Sequence, residues 1–369
     1  MPVNNNSLSR EDKIKLENAG IELNPKNKSG DFLMIGQEGI SSSSFDENLT
    51  LMPLRTALER KPEIESYMWK LIDPQKDQYT RLAYENRAKN GYYIHLNPNS
   101  KIEMPFQACF FIKELKSEQI VHNIIILEEN SELHIINGCA AGNYVLQGSH
   151  IGITEIFLRK NSFLSYTMIH DWSPEMTVRP RSAAEIGENA QYISNYVSLR
   201  KTKTTQTHPV VTIKGEGGRA RLNSILYAPE DSNLDVGGKI ILSAKHARGD
   251  IISRVVSDGG YIIAPAEIEA ETGLTSGYMD CSGLLLKDKG SIYSIPSLNA
   301  KARDVELSHE ASVGSIGQDE INYLMSKGIS EDNAKNLILQ GFLDLKVKGL
   351  PESLQKSIDD TIAKSISGM

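Results

Sequence analysis

The chain has 369 residues and a formal net charge of -7. This length is enough to bury a large core and allows two or three domains. The acidic balance argues against a nucleic-acid partner, because a phosphate backbone selects for a basic face. The chain has no apolar run of membrane-spanning length, and its first 27 residues are polar rather than signal-like. We therefore expect a cytoplasmic protein that does not bind a membrane.

The three cysteines are an odd number without CxxC spacing. They indicate neither a disulfide framework nor a structural zinc site.

The first 90 residues predict a helical region with a flexible linker. Ser9 and Asp12 have the spacing of a capping box, and Ile14 and Leu16 follow on one helical face. Residues 24–47 are rich in Asn, Gly and Ser, which predicts a loop or mobile linker. Helical periodicity resumes over residues 52–59, 62–71 and 77–88.

Residues 91–310 read as an all-β core domain, since short strand patterns follow one another without helical patterns between them. Similar turn clusters recur at residues 128–131, 159–162, 187–190, 215–218 and 247–250. Their spacing of about thirty residues is typical of stacked structural units and favours a β-helix. A β-sandwich remains the alternative, because turns every eight to twelve residues or so would also fit it.

Residues 311–369 predict a C-terminal helical domain. Asp319 and Glu320 favour the start of one helix that Gly328 ends, and Ser330 caps the next. Pro351 begins a last predicted helix, whose apolar residues recur every fourth position at Leu354, Ile358, Ile362 and Ile366. This stripe is expected to pack on the preceding helices or to meet a partner.

Several nucleotide-binding and catalytic motifs are absent from the sequence. Gly237, Gly238 and Lys239 lack the remainder of a P-loop, and GxGxxG after a strand, GxSxG and HExxH are missing as well. We therefore expect no nucleotide bound by this chain. Asp231 and Asp235 are weak candidates for the acid and base of a carbohydrate-cleaving β-helix.

Histidines are scattered along the chain. Seven of the eight lie mostly singly in strand patterns, and we expect structural roles for them: His95, His122, His134, His150, His170, His208 and His246. His309 differs because it adjoins Glu310 in the tetrad Ser308-His309-Glu310-Ala311.

Cys281 precedes this tetrad by one predicted turn. A thiolate, an imidazole and a carboxylate could bind a metal ion if two strands brought them together. Side chains alternate along a strand, however, so Ser308 and Glu310 would share one side and His309 the other. The alternative for Cys281 is a small buried hydrophobe.

Several stretches together resemble the C-terminal signature of the SufB and SufD proteins, scaffold components of the Suf iron–sulfur cluster assembly system. These are residues 281–285, 308–311, 316–321, 327–329 and 341–342, while residues 187–190 and 247–254 resemble upstream strands of the same family. The likeness covers roughly residues 133–342.

The resemblance implies a mainly β fold, with a right-handed parallel β-helix between small helical ends. It implies a scaffold without enzymatic activity, dimerised through the β-helix, whose C-terminal helices dock on a SufC-like ABC ATPase that hydrolyses the ATP. A transient iron–sulfur cluster of unknown nuclearity would be its cargo, with a sulfur donor and apo-protein clients as further partners. The cluster ligands implied by the family motifs are Cys281, His309 and Glu310.

The tetrad combines Ser-His, as in D-type members, with His-Glu, as in B-type members. We therefore hypothesise a homodimer in which one chain plays both parts. The first alternative is a D-type structural subunit without its own cluster. The second, ranked below it, is a β-helix carbohydrate-active enzyme.

The resemblance departs from the B-type pattern at Glu185, where B-type members have a sulfur-accepting cysteine. Sulfide would then arrive directly, or through Cys139 or Cys109, although both lie in apolar strand patterns that favour inert thiols.

Overall fold

The computed structural model describes residues 8–21, 27–86, 90–114 and 117–343, apart from the side chains of residues 38–40 and 332. Most of these residues lie in β-strands that wind into a parallel β-solenoid of about eight turns. The β-helix predicted from the turn spacing is therefore confirmed, and the sandwich alternative is wrong.

Helices flank the solenoid. The N-terminal ones are α1 Arg10–Asn18, α2 Leu54–Arg60, a 3₁₀ helix Pro62–Tyr67 and α3 Gln78–Glu85, and the C-terminal ones are α4 Gln318–Ser326 and α5 Glu331–Leu343. The Ser9 side chain accepts a hydrogen bond from the Asp12 backbone N–H, and the Asp12 carboxylate accepts one from the Ser9 backbone N–H, so the predicted capping box is present. The helix predicted from Pro351 lies outside the described residues.

One sheet contains a strand from each successive coil, and its strands are parallel from β1 onward. They are β1 Gly30–Ile35, β5 Phe106–Ile112, β7 Glu132–Ala141, β9 Phe163–Asp171, β12 Gln191–Ser198, β15 Arg219–Pro229, β18 Arg248–Asp258, β20 Thr275–Leu285 and β22 Val305–Ser315. At one end β2 Glu38–Ser44 pairs antiparallel with β1.

The second sheet faces the first across the core. Its strands are β3 Leu49–Pro53, β4 Tyr92–Leu96, β6 Glu118–Leu127, β8 Gln147–Leu158, β10 Glu175–Val178, β11 Arg181–Ile186, β13 Thr204–Thr207, β14 Val210–Ile213, β16 Asn233–Val236, β17 Gly238–Leu242, β19 Tyr261–Ala270 and β21 Ser291–Ala300. Three middle coils contribute two short strands each, and the breaks contain Pro180, Pro209 or Gly237. Proline interrupts a strand because it has no N–H to donate.

Each coil turns through a residue with positive φ. These residues are Asn99, Asn130, Asn161, Asn189, Gly217, His246, Leu274 and Asp304, and their numbers rise by 28 to 31 from one to the next. The Asn130 amide donates to Asn99 at 2.9 Å and the Asn161 amide donates to Asn130 at 2.8 Å. Asparagine tolerates this backbone conformation better than most residues, which explains the similar clusters in the sequence.

Two sequence predictions are corrected. The turn assigned to residues 247–250 lies at residues 244–247, and β18 already begins at Arg248. The linker assigned to residues 24–47 is wrong over residues 30–44, which form the hairpin of β1 and β2. There β1 also pairs with β5, so backbone hydrogen bonds to the sheet outweigh the loop preference of Gly and Ser, and Phe32 and Met34 enter the core.

The helices cover different parts of the outer surface. On the first sheet, Leu16 of α1 packs with Phe111, while Leu339 and Leu343 of α5 pack near the C-terminal end. On the second sheet, α2 and the 3₁₀ helix cover the early coils. The last coil, formed by β21 and β22, is largely exposed.

Helices long and apolar enough to cross a lipid bilayer do not occur in the part of the chain that the structure describes.

Candidate functional site at the open end of the solenoid

Cys281 lies near the C-terminal end of the solenoid and faces its interior. Along β20 buried and partly exposed residues alternate, so Gly277, Met279 and Cys281 point inward and Asp280 points outward. Cys281 is only 3% exposed and belongs to the main core cluster. Because side chains alternate between the two faces of a strand, the thiol lies in the lumen and its two sequence neighbours lie on the outer surface.

The next coil brings the tetrad against Cys281. Strand β22 pairs in parallel with β20, with His309 opposite Met279, Glu310 opposite Asp280 and Ala311 opposite Cys281. Paired residues of a sheet share a face, so His309 lies on the same inward face as Cys281 and Glu310 lies on the outward face. The predicted alternation of the tetrad is therefore present.

A single chain does not converge all three candidate ligands on one point. Among the residues that the structure describes, no group of three or more His, Cys, Asp or Glu side chains is placed to hold a metal ion. Both His309 and Glu310 are exposed, since no coil stacks on β22 within the described residues. His309 points inward and Glu310 points outward from β22, which is an edge strand whose backbone N–H and C=O groups are open to pairing.

Two opposing effects act on the pKa of the Cys281 thiol. Burial raises its pKa above the ordinary value, while the Ser294 hydroxyl acts to lower it. Ser253 lies in register with Cys281 on the inward face and accepts a hydrogen bond from Ser224 at 3.0 Å. A cavity of about 40 Å³ is lined by residues from Tyr166 on β9 to Cys281. The thiol therefore adjoins empty space in the lumen.

The outer face beside Cys281 carries residues that sequence reasoning missed. The Arg254 guanidinium donates to both carboxylate oxygens of Asp280, at 2.9 and 2.5 Å, and the Ser282 hydroxyl donates to the same carboxylate at 3.1 Å. Desolvation and the neighbouring Glu310 carboxylate both raise the pKa of Tyr278. Strand alternation around Cys281 places Tyr278 and Asp280 on the outer face, and this could have been predicted from the sequence. Arg254 is their neighbour only because β18 and β20 pair in successive coils.

The other two thiols are buried away from this end. Cys139 lies in the lumen of an early coil and Cys109 lies beneath α1. Burial raises the pKa of both thiols well above the ordinary value, which disfavours the reactive thiolate. Glu185, at the position of the departure from the family pattern, forms an ion pair with Lys214 at 2.6 Å on the outer face.

The remaining candidates have local partners. Each of the seven other histidines contacts a polar side chain, as expected of structural histidines: these pairs are His95 with Glu128, His122 with Glu155, His134 with Glu132, His150 with Gln119, His170 with Tyr196, His208 with Asp235, and His246 with Glu216. Asp231 lies in a turn and pairs with Lys201 at 3.5 Å. Asp235 is held by His208 at 2.6 Å.

Comparison with known proteins shows which family the chain belongs to. The sequence profile of the family described as "SUF system FeS cluster assembly, SufBD core domain" matches residues 110–342. An iron-sulfur cluster assembly SufBD family protein of Archaeoglobus fulgidus is 41% identical over 351 residues, which cover 95% of this chain and 94% of that protein. A SufBD family protein of Methanothermobacter thermautotrophicus strain Delta H is 35% identical over 354 residues, covering 95% of this chain and 86% of that protein.

A more distant relative is named as a B-type protein. The iron-sulfur cluster assembly protein SufB of Bacillus subtilis is 29% identical over 305 residues, which cover 80% of this chain and 64% of that protein. Because the family profile covers more than half of the chain and the Archaeoglobus fulgidus relative matches it nearly end to end, the chain belongs to the SufBD family of iron–sulfur cluster assembly proteins.

Proposed function

We propose that the chain is a scaffold subunit on which an iron–sulfur cluster is assembled and from which it is released. The cluster is the cargo, held transiently at the interface of a homodimer by Cys281, His309 and Glu310. The chain itself catalyses no reaction in this proposal, and ATP hydrolysis belongs to a SufC-like ABC ATPase.

The observation that carries the proposal is the open end of the solenoid. Cys281 faces the lumen one strand below the edge, while His309 and Glu310 lie on the edge strand itself, on opposite faces. A second copy placed against this edge by a two-fold axis would bring a second set of the same side chains to the same place. Ligands that do not converge within one chain would then be supplied by two.

The exposed apolar side chains of the last coil support a partner at this end. They are Tyr293, Ile295 and Leu298 on β21 and Val313 on β22, with exposed fractions between 38% and 60%. Apolar groups of this size clustered on a surface mark interaction sites. An edge strand with free N–H and C=O groups is also a template for strand pairing.

The ligand chemistry suits temporary binding. A thiolate favours iron–sulfur chemistry, whereas imidazole and carboxylate ligands exchange more readily than a further cysteine. Metal binding requires the thiolate and would therefore release the proton of Cys281, which burial of this thiol opposes by raising its pKa. We propose that sulfide reaches this thiol directly, because Cys109 and Cys139 are buried away from this end of the solenoid and Glu185 offers no thiol.

The C-terminal helices are the proposed ATPase contact within residues 311–369. Tyr323, Met325 and Leu337 are exposed on α4 and α5. Helix α5 also packs through Leu339 on the outer face of the sheet that carries Cys281. Movement of a docked ATPase would therefore pass to the strands beside the site, a coupled change of the kind that opens interfaces. We also propose that apo-protein clients are partners of the chain and that the chain is located in the cytoplasm.

Anaerobic reconstitution with ferrous iron and sulfide tests the scaffold role. The wild-type chain should develop visible absorption and retain iron and sulfide after desalting. Cys281→Ser should lose both, while the matched control Cys109→Ser, an equally buried thiol outside the site, should retain them. Equal retention by Cys281→Ser and the wild type contradicts the assignment of Cys281 as a ligand.

The second candidate is a D-type structural subunit without its own cluster. The buried, inward position of Cys281 favours it, because a lone buried thiol is often a packing residue. In that case the wild-type chain would itself retain no iron or sulfide, and native mass measurement would show an obligatory paralogue.

A further inference from the structure

Glu310 occupies an unusual electrostatic position on the outer face. It lies in register with Asp280 on the neighbouring strand, so two carboxylates stand on adjacent strands. Neighbouring strands are about 4.8 Å apart, and like charges directly opposite each other are unfavourable. Tyr278 lies beside Glu310, and within the described residues Glu310 has no ion pair with a Lys, Arg or His side chain.

The cation beside this pair is bound to Asp280. Both terminal nitrogens of Arg254 donate to the Asp280 carboxylate, and one of them also donates to the Ser253 carbonyl at 3.1 Å. The Arg254 and Asp280 side chains are only 19% and 20% exposed. A bidentate guanidinium–carboxylate pair is geometrically specific, so Arg254 is committed to Asp280.

We propose that Asp280 holds the Arg254 guanidinium away from Glu310 and thereby keeps the Glu310 carboxylate free for a metal cation. Asp280 and Arg254 are positioning residues in this account, because they act through Glu310. The proposal rests on the proposed function, since it assigns a purpose to the free charge of Glu310. It also makes a prediction about the protein alone, without iron.

The prediction concerns the partner of Arg254. In Asp280→Asn the side chain keeps its size but loses its charge. Glu310, on β22 beyond Asp280, then becomes the carboxylate available to Arg254, and the released guanidinium turns to it. Cys281, His309 and Glu310 are all retained in this variant, yet the charge of Glu310 is neutralised.

A double-mutant cycle between Arg254→Met and Glu310→Gln, read by chemical unfolding of the metal-free protein, tests this step. In the wild-type background the coupling should be weak, because the guanidinium is paired with Asp280. In the Asp280→Asn background it should appear as a change of about two- to fivefold in the unfolding equilibrium constant, as for an exposed ion pair. Equal coupling in the two backgrounds overturns the proposal, whatever the protein binds.

Binding of Co²⁺, a spectroscopic probe of thiolate ligation, tests the consequence. Asp280→Asn should weaken Co²⁺ binding by roughly tenfold or more, within the range known for residues that orient ligands. The double variant Asp280→Asn with Arg254→Met should restore it, because no guanidinium remains to occupy Glu310. Double-variant binding as weak as that of Asp280→Asn overturns the proposal.

A matched control is available on the same face. Arg221 donates to Asp250 at 2.8 Å on the strand pair β15–β18, one step farther from Glu310. Asp250→Asn should leave Co²⁺ binding unchanged, and an equal loss in this control would show that the effect is not specific to Asp280. If the wild-type chain binds neither Co²⁺ nor a cluster, the proposed function fails, while the coupling measurement still decides the Arg254 proposal.

Discussion

A buried carboxylate, Glu155 on β8, should hold the segment before α3 against the solenoid. It is fully buried and accepts hydrogen bonds from the backbone N–H groups of Trp69, Leu71 and Ile72 at 2.5, 2.6 and 3.3 Å. The His122 ring nitrogen Nε2 donates to it at 2.8 Å. Trp69 has a positive φ of 57°, so this carboxylate also stabilises an uncommon backbone conformation.

The cost of losing the carboxylate follows from these contacts. Glu155→Ala leaves the buried donors without an acceptor and should lower the free energy of unfolding by about 3–5 kcal/mol. Glu155→Gln keeps the volume and one acceptor oxygen, so about 1–3 kcal/mol is expected. Hydrogen exchange of residues 68–72 should accelerate in both variants, while that of β18 should change less.

Urea unfolding and amide exchange by mass spectrometry are the assays. The control is Glu188→Gln, which removes an ion pair with Lys160 whose side chains are 48% and 45% exposed. Such exposed pairs contribute less than about 1 kcal/mol. Unchanged exchange of residues 68–72 in Glu155→Ala would refute the reasoning, as would a loss of stability no larger than that of the control.

Two further predictions concern acid stability and the dimer. Hydrogen bonds from Lys301 and Lys239 lower the pKa of Glu269 from 4.5 to about 2. The folded state therefore favours the carboxylate, so the stability advantage of the wild type over Glu269→Gln should be full above pH 4.5 and vanish as the pH falls through about 2. Acid titrations of both proteins, followed by circular dichroism, would expose a pH-independent difference and so contradict this. Ile295 is 52% exposed on β21, and Ile295→Asp should weaken a homodimer by at least about tenfold in sedimentation analysis. Ile14→Asp, 49% exposed on α1, is the control, and an unchanged dimer in Ile295→Asp would remove this surface from the interface.

The turn spacing made the architecture predictable from the sequence. Asn130, Asn161 and Asn189 occupy positions that require positive φ, a local demand that only a few residue types meet easily. The stacking of coils follows from their repetition. The hairpin of residues 30–44 was not predictable in this way, because its stability comes from pairing with β5, more than sixty residues along the chain.

The candidate site was predictable in part. Strand alternation alone separates His309 from Glu310, but which of them faces the lumen depends on the register between β20 and β22. The pairing of Arg254 with Asp280 across 26 residues depends on the length of a coil, which no local pattern reveals. The handedness and the ligand set implied by the family resemblance, and the domain limits taken from the sequence pattern, stay predictions.

Native mass spectrometry of the anaerobically reconstituted protein tests the central claim most directly, because one mass reports both the number of chains and the bound cargo. The account predicts a homodimer carrying an iron–sulfur cluster, and a homodimer without it for Cys281→Ser. A cluster bound to a single chain, or retained by the Cys281→Ser dimer, would contradict the account.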